Sequence, residues 1–322
     1  MITRQPVSGL LPIYNGGAWI PKSLPIILAS LELHDELIVV DDGSTDETAE
    51  LISAFAKDDA RISLHKSSHR GIVHSLNLGL KLAKNNLVAR YDIDDLYPFD
   101  RLTHQIALVQ SSQNVGVVFS DYNIWKNGEC FRGRIPSPLF HLQSKMSLVN
   151  SQRTAHPSAL INRECAQLVG GYLEEDFPAE DLGLWIRISE VSLILTVEEI
   201  GLEYNRRSSS ISNSMRESAL KKKSSLVRNI HFSRSEINSL THDLDDLIGA
   251  YDEYSLAEIR KFLFCYDYLT WLDSSHDKEV FQMQKLVAGK LKKSMVSAFF
   301  SRETVRFGAE SFQRKIERML QR

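Results

Sequence analysis

Apolar and polar positions fall into short blocks of alternating period. Residues 7–14 (VSGLLPIY) predict a strand closed by the turn Asn15-Gly16-Gly17. A helix follows across residues 19–31. Pro21 suits its first turn, while Pro25 moves its start later than the pattern suggests, because proline breaks a helix interior. Residues 36–42 (ELIVVDD) predict a second strand, β-branched and apolar until two aspartates end it. Ser44-Thr45-Asp46-Glu47 has the capping-box form and opens a helix to about residue 55. Residues 61–65 (RISLH) give a short third strand, His69-Arg70-Gly71 a turn, and Ile72, Leu76, Leu80 and Ala83 the stripe of a helix. A fourth strand starts at Leu87 and runs into Asp92-Ile93-Asp94-Asp95. Repeated strand–helix alternation implies an α/β fold with a mostly parallel central sheet and helices on both faces.

Further on, Asp100 caps a helix to about residue 110, and residues 115–120 (VGVVFS) form another strand. Residues 121–150 look irregular, residues 155–161 strand-like, and Glu180-Asp181-Leu182-Gly183-Leu184-Trp185 opens a helix. Residues 191–202 supply one or two short strands. Residues 206–213 (RRSSSISN) break the composition, and the texture beyond is helical, with further capping-box forms at Ser233 and Ser255.

The chain has 322 residues, 43% hydrophobic and 25% charged, which suits one large domain with an appendage. We expect a domain over residues 1–213, made of a nucleotide-binding half (1–98) and an acceptor half (99–213), followed by a helical extension over 214–322. The net charge of −3 divides unevenly. From Ser214 onward there are 19 Lys+Arg against 15 Asp+Glu, leaving 19 against 26 in front. Cys130, Cys165 and Cys265 lie too far apart for a disulfide framework or a metal-ligand spacing, and fit a reducing compartment as small buried hydrophobes. The short apolar start is not a signal peptide, and no apolar run is long enough for a spanning helix. A soluble, cytoplasmic protein is the expectation. Residues 278–322, with 11 Lys+Arg and 4 Asp+Glu among aromatic and aliphatic positions, admit two readings. They are an amphipathic helical pair that covers the domain or forms a homodimer, or a peripheral contact with anionic lipid on the inner face of the membrane.

In open α/β sheets, ligands sit beyond the carboxyl ends of the strands. Tyr14-Asn15, Asp41-Asp42 and Asp92-Asp94-Asp95 all arrive there, which points to a nucleotide or phosphate ligand. At about 5 Å and an effective dielectric of about 20, each carboxylate pair repels by about 3 kcal/mol. A divalent cation with oxygen ligands, Mn²⁺ or Mg²⁺, would bridge such carboxylates to a diphosphate. The alternative is a solvated acidic turn. An EF-hand is excluded, because Tyr97 and Thr103 stand where that loop requires Gly and Glu.

Other candidates also carry two readings. Asp41-Asp42 serves as a strand end before a helix cap at Ser44, or as a ligand contact in which a carboxylate accepts from a nucleobase imide. Glu180-Asp181 is favoured by the helix dipole alone, or holds a general base. His156 is a turn or core histidine, or a supporting site residue. Arg70 and Asn77 are surface groups, or supply charge and amide to the phosphates. No G-x-G-x-x-G follows the first strand, and neither a P-loop nor a G-x-S-x-G elbow occurs.

Residues 11–16 (LPIYNG), 38–46 (IVVDDGSTD) and 89–95 (ARYDIDD), then His156-Pro157-Ser158 and Glu180-Asp181-x-x-Leu184-Trp185, occur in that order. Together they resemble the motif series of the family 2 inverting glycosyltransferases of GT-A fold, the nucleotide-diphospho-sugar transferase type common in bacterial surface-polysaccharide synthesis. The resemblance covers roughly residues 5–213. It implies that Pro12, Tyr14 and Asn15 line the nucleotide pocket, Asp42 contacts a uracil-like base, Asp92 approaches the ribose and Asp94 carries the metal. Asp181 is then the base on the acceptor hydroxyl, with Asp41, Asp95, His156, Glu180 and Trp185 in support. The implied partners are a nucleotide-sugar donor, probed first as a UDP-sugar, and a glycan or lipid-linked acceptor, not nucleic acid.

Two departures stand out: Ser8-Gly9 interrupts the first strand, and Leu182-Gly183 replaces an acid or aromatic. A glycine there loosens the helix by about 1 kcal/mol. Rival readings are a nucleotidyltransferase, against which the uncharged Asn15-Gly16-Gly17-Ala18-Trp19 loop argues, and a catalytically silent subunit of the same fold.

Overall fold

The computed structural model describes residues 4–126, 129–131, 148, 154–205 and 215–227. The chain divides into two units, Met1–His231 and Phe232–Arg322, and the described residues all belong to the first. The serine-rich break at 206–213 and the helical and basic segments beyond Val227 lie outside the described residues.

The predicted alternation is present. Strands β1 (Val7–Ile13), β2 (Glu36–Asp41), β3 (Ile62–Lys66) and β4 (Leu87–Arg90) alternate with helices α1 (Ile20–Ala29), α2 (Thr48–Asp58) and α3 (Ile72–Leu82). Then come α4 (Arg101–Ser111), β5 (Val115–Lys126), β6 (Glu129–Phe131), β7 (Leu160–Asn162), α5 (Arg163–Leu168), α6 (Glu180–Ser189), β8 (Leu193–Asn205) and α7 (Arg216–Val227). The sheet order is β3-β2-β1-β4-β7-β5-β6, with β8 beside β5. The β1–β2, β2–β3, β1–β4 and β5–β8 pairs are parallel, and β7 enters antiparallel between β4 and β5.

Alternation along β1 sends Val7, Leu11 and Ile13 into a core shared with Ile20, Leu24 and Ile27 of α1 and Ile52 of α2. Leu10 faces the other way, where Gly79 lets α3 lie against it; a Cβ on Gly79 would stand 1.9 Å from Leu10 Cδ1. Both sheet faces are therefore covered, and central strands buried on both sides carry apolar runs. Pro12 fits a central strand because it faces β4, and that pairing ends at Leu10–Arg90. Ser8 and Gly9 are accommodated rather than disruptive. Ser8 Oγ donates to Glu36 Oε1 at 2.6 Å, and Gly9 leaves room for the Tyr91 ring, 3.2 Å from where a Cβ would stand.

Several expectations need correction. Helix α1 starts at Ile20 and contains Pro25. An interior proline costs about 3 kcal/mol, whereas fully burying Ile20, Leu24 and Ile27 gains about 1.5–3 kcal/mol each, so packing wins. Ser44 does not cap α2. Its Oγ accepts instead from the Asn15 N–H at 2.9 Å, and the helix opens at Thr48. The strand expected over residues 155–161 is a 3₁₀ turn, His156–Ser158, before the short β7, since Pro157 has no N–H for a ladder. Residues 193–205 form a single long strand with bulges against β5. Cys165 is buried as expected, but Cys130 is exposed.

Candidate active site

The carboxyl ends of β1, β2 and β4 converge on one edge. After β1, Tyr14 is 49% exposed and stacks on His69, with centroids 4.3 Å apart. Asn15 takes a positive φ of 49°, and its Oδ1 accepts from Thr45 N–H at 2.8 Å, tying the loop after β1 to the loop after β2. Asp41 and Asp42 are both buried. Asp41 Oδ1 accepts from Ser44 N–H at 2.9 Å, closing the turn through Gly43. Asp42 grips the loop into α3: Oδ1 accepts from Arg70 N–H and Oδ2 from Gly71 N–H, each at 2.8 Å. Each oxygen keeps a second lone pair for a ligand. The Arg70 side chain is on the exposed surface, and its backbone makes the contact.

Beneath the acidic turn after β4 lie two buried arginines that sequence reasoning missed. Arg90 donates to Asp92 Oδ1 at 2.8 Å and to the Tyr91 carbonyl. Burial opposes its charge most strongly, but Asp92, Tyr97 and Tyr172 together outweigh this and hold the guanidinium above its ordinary pKa. Arg101 donates to the carbonyls of Arg90 and Ala159, each at 3.1 Å, and stacks under the rings of Tyr91 and Tyr97 at 5.0 and 5.1 Å. Part of the repulsion among the aspartates is thus met from inside. Asp95 is not relieved. Oδ1 accepts from Asn205 N–H at 2.8 Å, but Oδ2 is buried without a partner. Burial, then the charges of Asp92 and Asp94, push its pKa well above the carboxylate range. Asp94 stands half-buried between them.

The acceptor side reaches the same place. Helix α6 opens on Glu180 and Asp181, and Asp181 Oδ1 accepts from the Leu182 N–H at 2.7 Å. Burial, then Asp181, raise the Glu180 pKa to about 7; the charges of Arg90 and Asp92 also act on Glu180. Residues some ninety positions apart in sequence are therefore within electrostatic range. Asp181, Glu180 and Asp92 all act on Tyr172, which is buried with its hydroxyl 2.8 Å from His156 Nε2. His156 also meets the edge of Trp185, which is buried against Phe119. Asn77 is engaged by the fold: Nδ2 donates to the Tyr172 carbonyl and Oδ1 accepts from the Tyr172 N–H, with one N–H of the amide left over. Tyr172 follows Gly170-Gly171, both at positive φ, a turn signal that could have flagged it. Gly183 of α6 is explained by Asp176, whose Oδ2 would lie 2.1 Å from a Cβ there and which pairs with Arg187 at 2.5 Å.

Among the described residues, no group of three His, Cys, Asp or Glu side chains is arranged to enclose a metal ion. The residues fit a different kind of site, in which one or two carboxylates bind a cation completed by phosphate and water. The buried, unpartnered Asp95 Oδ2, whose ionisation burial and the charges of Asp92 and Asp94 oppose, is the feature such a cation would stabilise.

Relatives of known sequence are similar over part of their length. An uncharacterized glycosyltransferase of Rickettsia conorii is 27% identical over 193 residues, covering 58% of this chain and 31% of that protein. The glycosyltransferase GlyG of Streptococcus pneumoniae is 31% identical over 118 residues, 36% of this chain and 39% of that protein. Hyaluronan synthase of Pasteurella multocida is 23% identical over 302 residues, 93% of this chain and 29% of that enzyme. The chain thus spans well under half of these relatives.

Among solved structures, S. aureus TarS 1-349 in complex with UDP-GlcNAc superposes with a TM-score of 0.60 at 16% identity, over 89% of this chain and 88% of that one. The mannosyltransferase PcManGT from Pyrobaculum calidifontis, in complex with GDP-Man and Mn²⁺, gives 0.55 at 18% identity, over 94% and 89%. These likenesses establish the GT-A fold. The family model for glycosyl transferase family 2 matches residues 8–168, so this chain belongs to that family.

Proposed function

We propose that the protein is a metal-dependent inverting glycosyltransferase that moves a sugar from a nucleotide-diphospho-sugar, in the first instance a UDP-sugar, to a hydroxyl of a glycan or lipid-linked acceptor in surface-polysaccharide synthesis. One observation carries this reading. Asp92 at the acidic end of β4 and the Glu180-Asp181 pair of α6, remote in sequence, act electrostatically on one another and on Tyr172. A donor-binding half and a base-bearing half meet there.

Tyr14, above Pro12 at the end of β1, offers a ring face to the base, with Asp42 oriented by the Arg70 and Gly71 amides toward an imide N–H. Asp92, steadied by Arg90, faces the ribose. Asp94 would hold Mn²⁺ or Mg²⁺ on the diphosphate, and the cation, when bound, supplies charge stabilisation to the leaving group. Asp181 takes the proton of the acceptor hydroxyl, which attacks the anomeric carbon opposite the nucleotide, so configuration inverts. Glu180, its pKa raised to about 7 by burial and then by Asp181, holds a proton on the acid side of neutrality.

The test is thermal melting with UDP-glucose, UDP-galactose, UDP-GlcNAc and GDP-mannose, each with and without Mn²⁺. A bound donor at about one hundred times its dissociation constant stabilises by about 2.7 kcal/mol. No response to any of the four would sink the reading.

A further inference from the structure

The 3₁₀ turn before β7 places His156 where the two halves meet. Its Nε2 lies 2.8 Å from the Tyr172 hydroxyl. Its ring is steadied by the Trp185 edge, with centroids 5.8 Å apart. Arg90 is close enough for its charge to act on the ring. Tyr172 in turn feels Asp181, Glu180 and Asp92. Tyr172, and His156 hydrogen-bonded to it, are thus within electrostatic reach of groups on both the ribose side and the base side, which the transferred sugar has to adjoin if the proposed reaction is correct.

The hydrogen bond fixes which ring nitrogen carries the proton. The Tyr172 hydroxyl is buried and has no other acceptor among the described residues, so its proton goes to Nε2. Burial, first, and the Arg90 charge keep His156 neutral by pushing its pKa well below the usual range. A neutral ring whose Nε2 accepts carries its one proton on Nδ1. Nδ1 has no partner among the described residues, and it is not one of the buried polar atoms left unsatisfied. His156 is half-buried, so solvent or a ligand reaches this N–H. A neutral donor beside a buried arginine is poorly suited to bind the diphosphate, for which a cation serves better. It is suited to an uncharged oxygen.

We propose that His156, held as its Nδ1–H tautomer by Tyr172, donates a hydrogen bond to a hydroxyl of the transferred sugar and so helps select the donor. Tyr172 is the positioning residue. This rests on the glycosyltransferase reading above and adds a named sugar contact to it.

The test uses the full chain with Mn²⁺ and compares nucleotide sugars with their bare nucleoside diphosphates by calorimetry: UDP-glucose, UDP-galactose and UDP-GlcNAc against UDP, and GDP-mannose against GDP. His156→Gln keeps an acceptor toward Tyr172 but loses the donor at the δ position. It should weaken the nucleotide sugar about tenfold and leave the nucleoside diphosphate within about twofold. His156→Asn keeps an N–H at the δ position and should hold the nucleotide sugar within about threefold of wild type. Equal weakening of sugar and diphosphate in the Gln variant, or no weakening of either, overturns the proposal.

Wild-type protein that binds none of the nucleotide sugars overturns the glycosyltransferase reading and this one together. Wild-type binding with an indifferent Gln variant removes only the latter. Nitrogen-15 spectra of the wild-type histidines give an independent check that needs no variant to fold. A protonated Nδ1 and a bare Nε2 are expected at neutral pH, and the reverse overturns the proposal.

Discussion

Asn77 holds Tyr172 by both ends of its side-chain amide. Nδ2 donates to the Tyr172 carbonyl at 2.8 Å and Oδ1 accepts from the Tyr172 N–H at 2.9 Å, across 95 residues of sequence. Helix α3 belongs to the nucleotide-side alternation, while Tyr172 leads into the helix with the proposed base. Asn77→Asp keeps the acceptor but loses the donor and turns a charge toward a carbonyl. We expect a loss of about 2 kcal/mol, read as a fall of about 5 °C in Tm. Turnover should fall more than nucleoside diphosphate binding does. An unchanged Tm would show that the clamp contributes nothing.

Asp181→Asn tests the base directly. The substitution preserves the oxygen that accepts from the Leu182 N–H at 2.7 Å, so the start of α6 should persist. Donor binding should stay within about threefold while transfer drops about 100-fold or more. A variant that still transfers sugar at near wild-type rate would assign the proton to another group.

Glu180 gives the fold a measurable pH dependence. Its folded-state pKa, raised from 4.5 to about 7 by burial and then Asp181, means that the native chain binds more protons than the unfolded chain between those values. The slope of stability with pH is therefore negative. The contribution is fully present below about 4.5 and is lost as pH rises through about 7. It is on the order of 2 kcal/mol, reduced from the full shift because the side chain is partly exposed. Glu180→Gln removes this slope, so denaturant midpoints of wild type and variant should converge toward acid pH and separate in favour of the variant toward alkaline pH. Parallel curves would contradict the coupling.

Strand ends were legible in the sequence because an apolar run that stops in carboxylates marks where the element ends, as at Asp41-Asp42 and Asp92-Ile93-Asp94-Asp95. Local rules failed where tertiary contact overrode them. Pro25 stays inside α1 because its neighbours are buried, and Ser44 leaves its capping position because Asn15 takes its oxygen. Arg90 and Arg101 had no local signature, since an arginine in a strand or after a helix cap normally reaches solvent; only their burial beneath three aspartates gives them meaning. Asn77 was named for its polarity alone, and its partner, Tyr172, could not be found without the fold. Gly183 looked like a weakness of α6 until Asp176 was found against it.

Asp94→Asn tests the cation. Without the Asp94 charge, one of the influences that raise the Asp95 pKa disappears. With UDP and Mn²⁺ together, wild type should gain in Tm beyond either alone, because the diphosphate supplies the remaining ligands. The variant should lose that extra gain and keep the response to UDP. Full retention of the Mn²⁺ response would move the metal to other residues.

Gly183→Ala separates helix propensity from packing. In an isolated helix the change would stabilise by about 1 kcal/mol. Here a Cβ meets Asp176 Oδ2 at 2.1 Å, and that buried carboxylate also accepts from Arg187 at 2.5 Å. Displacing it loosens a partly buried ion pair; removing one partner of a fully buried pair costs about 3–5 kcal/mol, so a loss of about 2–3 kcal/mol is expected for this more exposed one. Packing should win, with a net loss of about 1–2 kcal/mol in denaturant unfolding. The cycle with Asp176→Ala isolates the cause. In that background the clash is gone, and Gly183→Ala should become neutral or stabilising, giving a coupling of about 2 kcal/mol between the two positions. Additive effects would place the cost in the backbone of α6 rather than in the Asp176 contact.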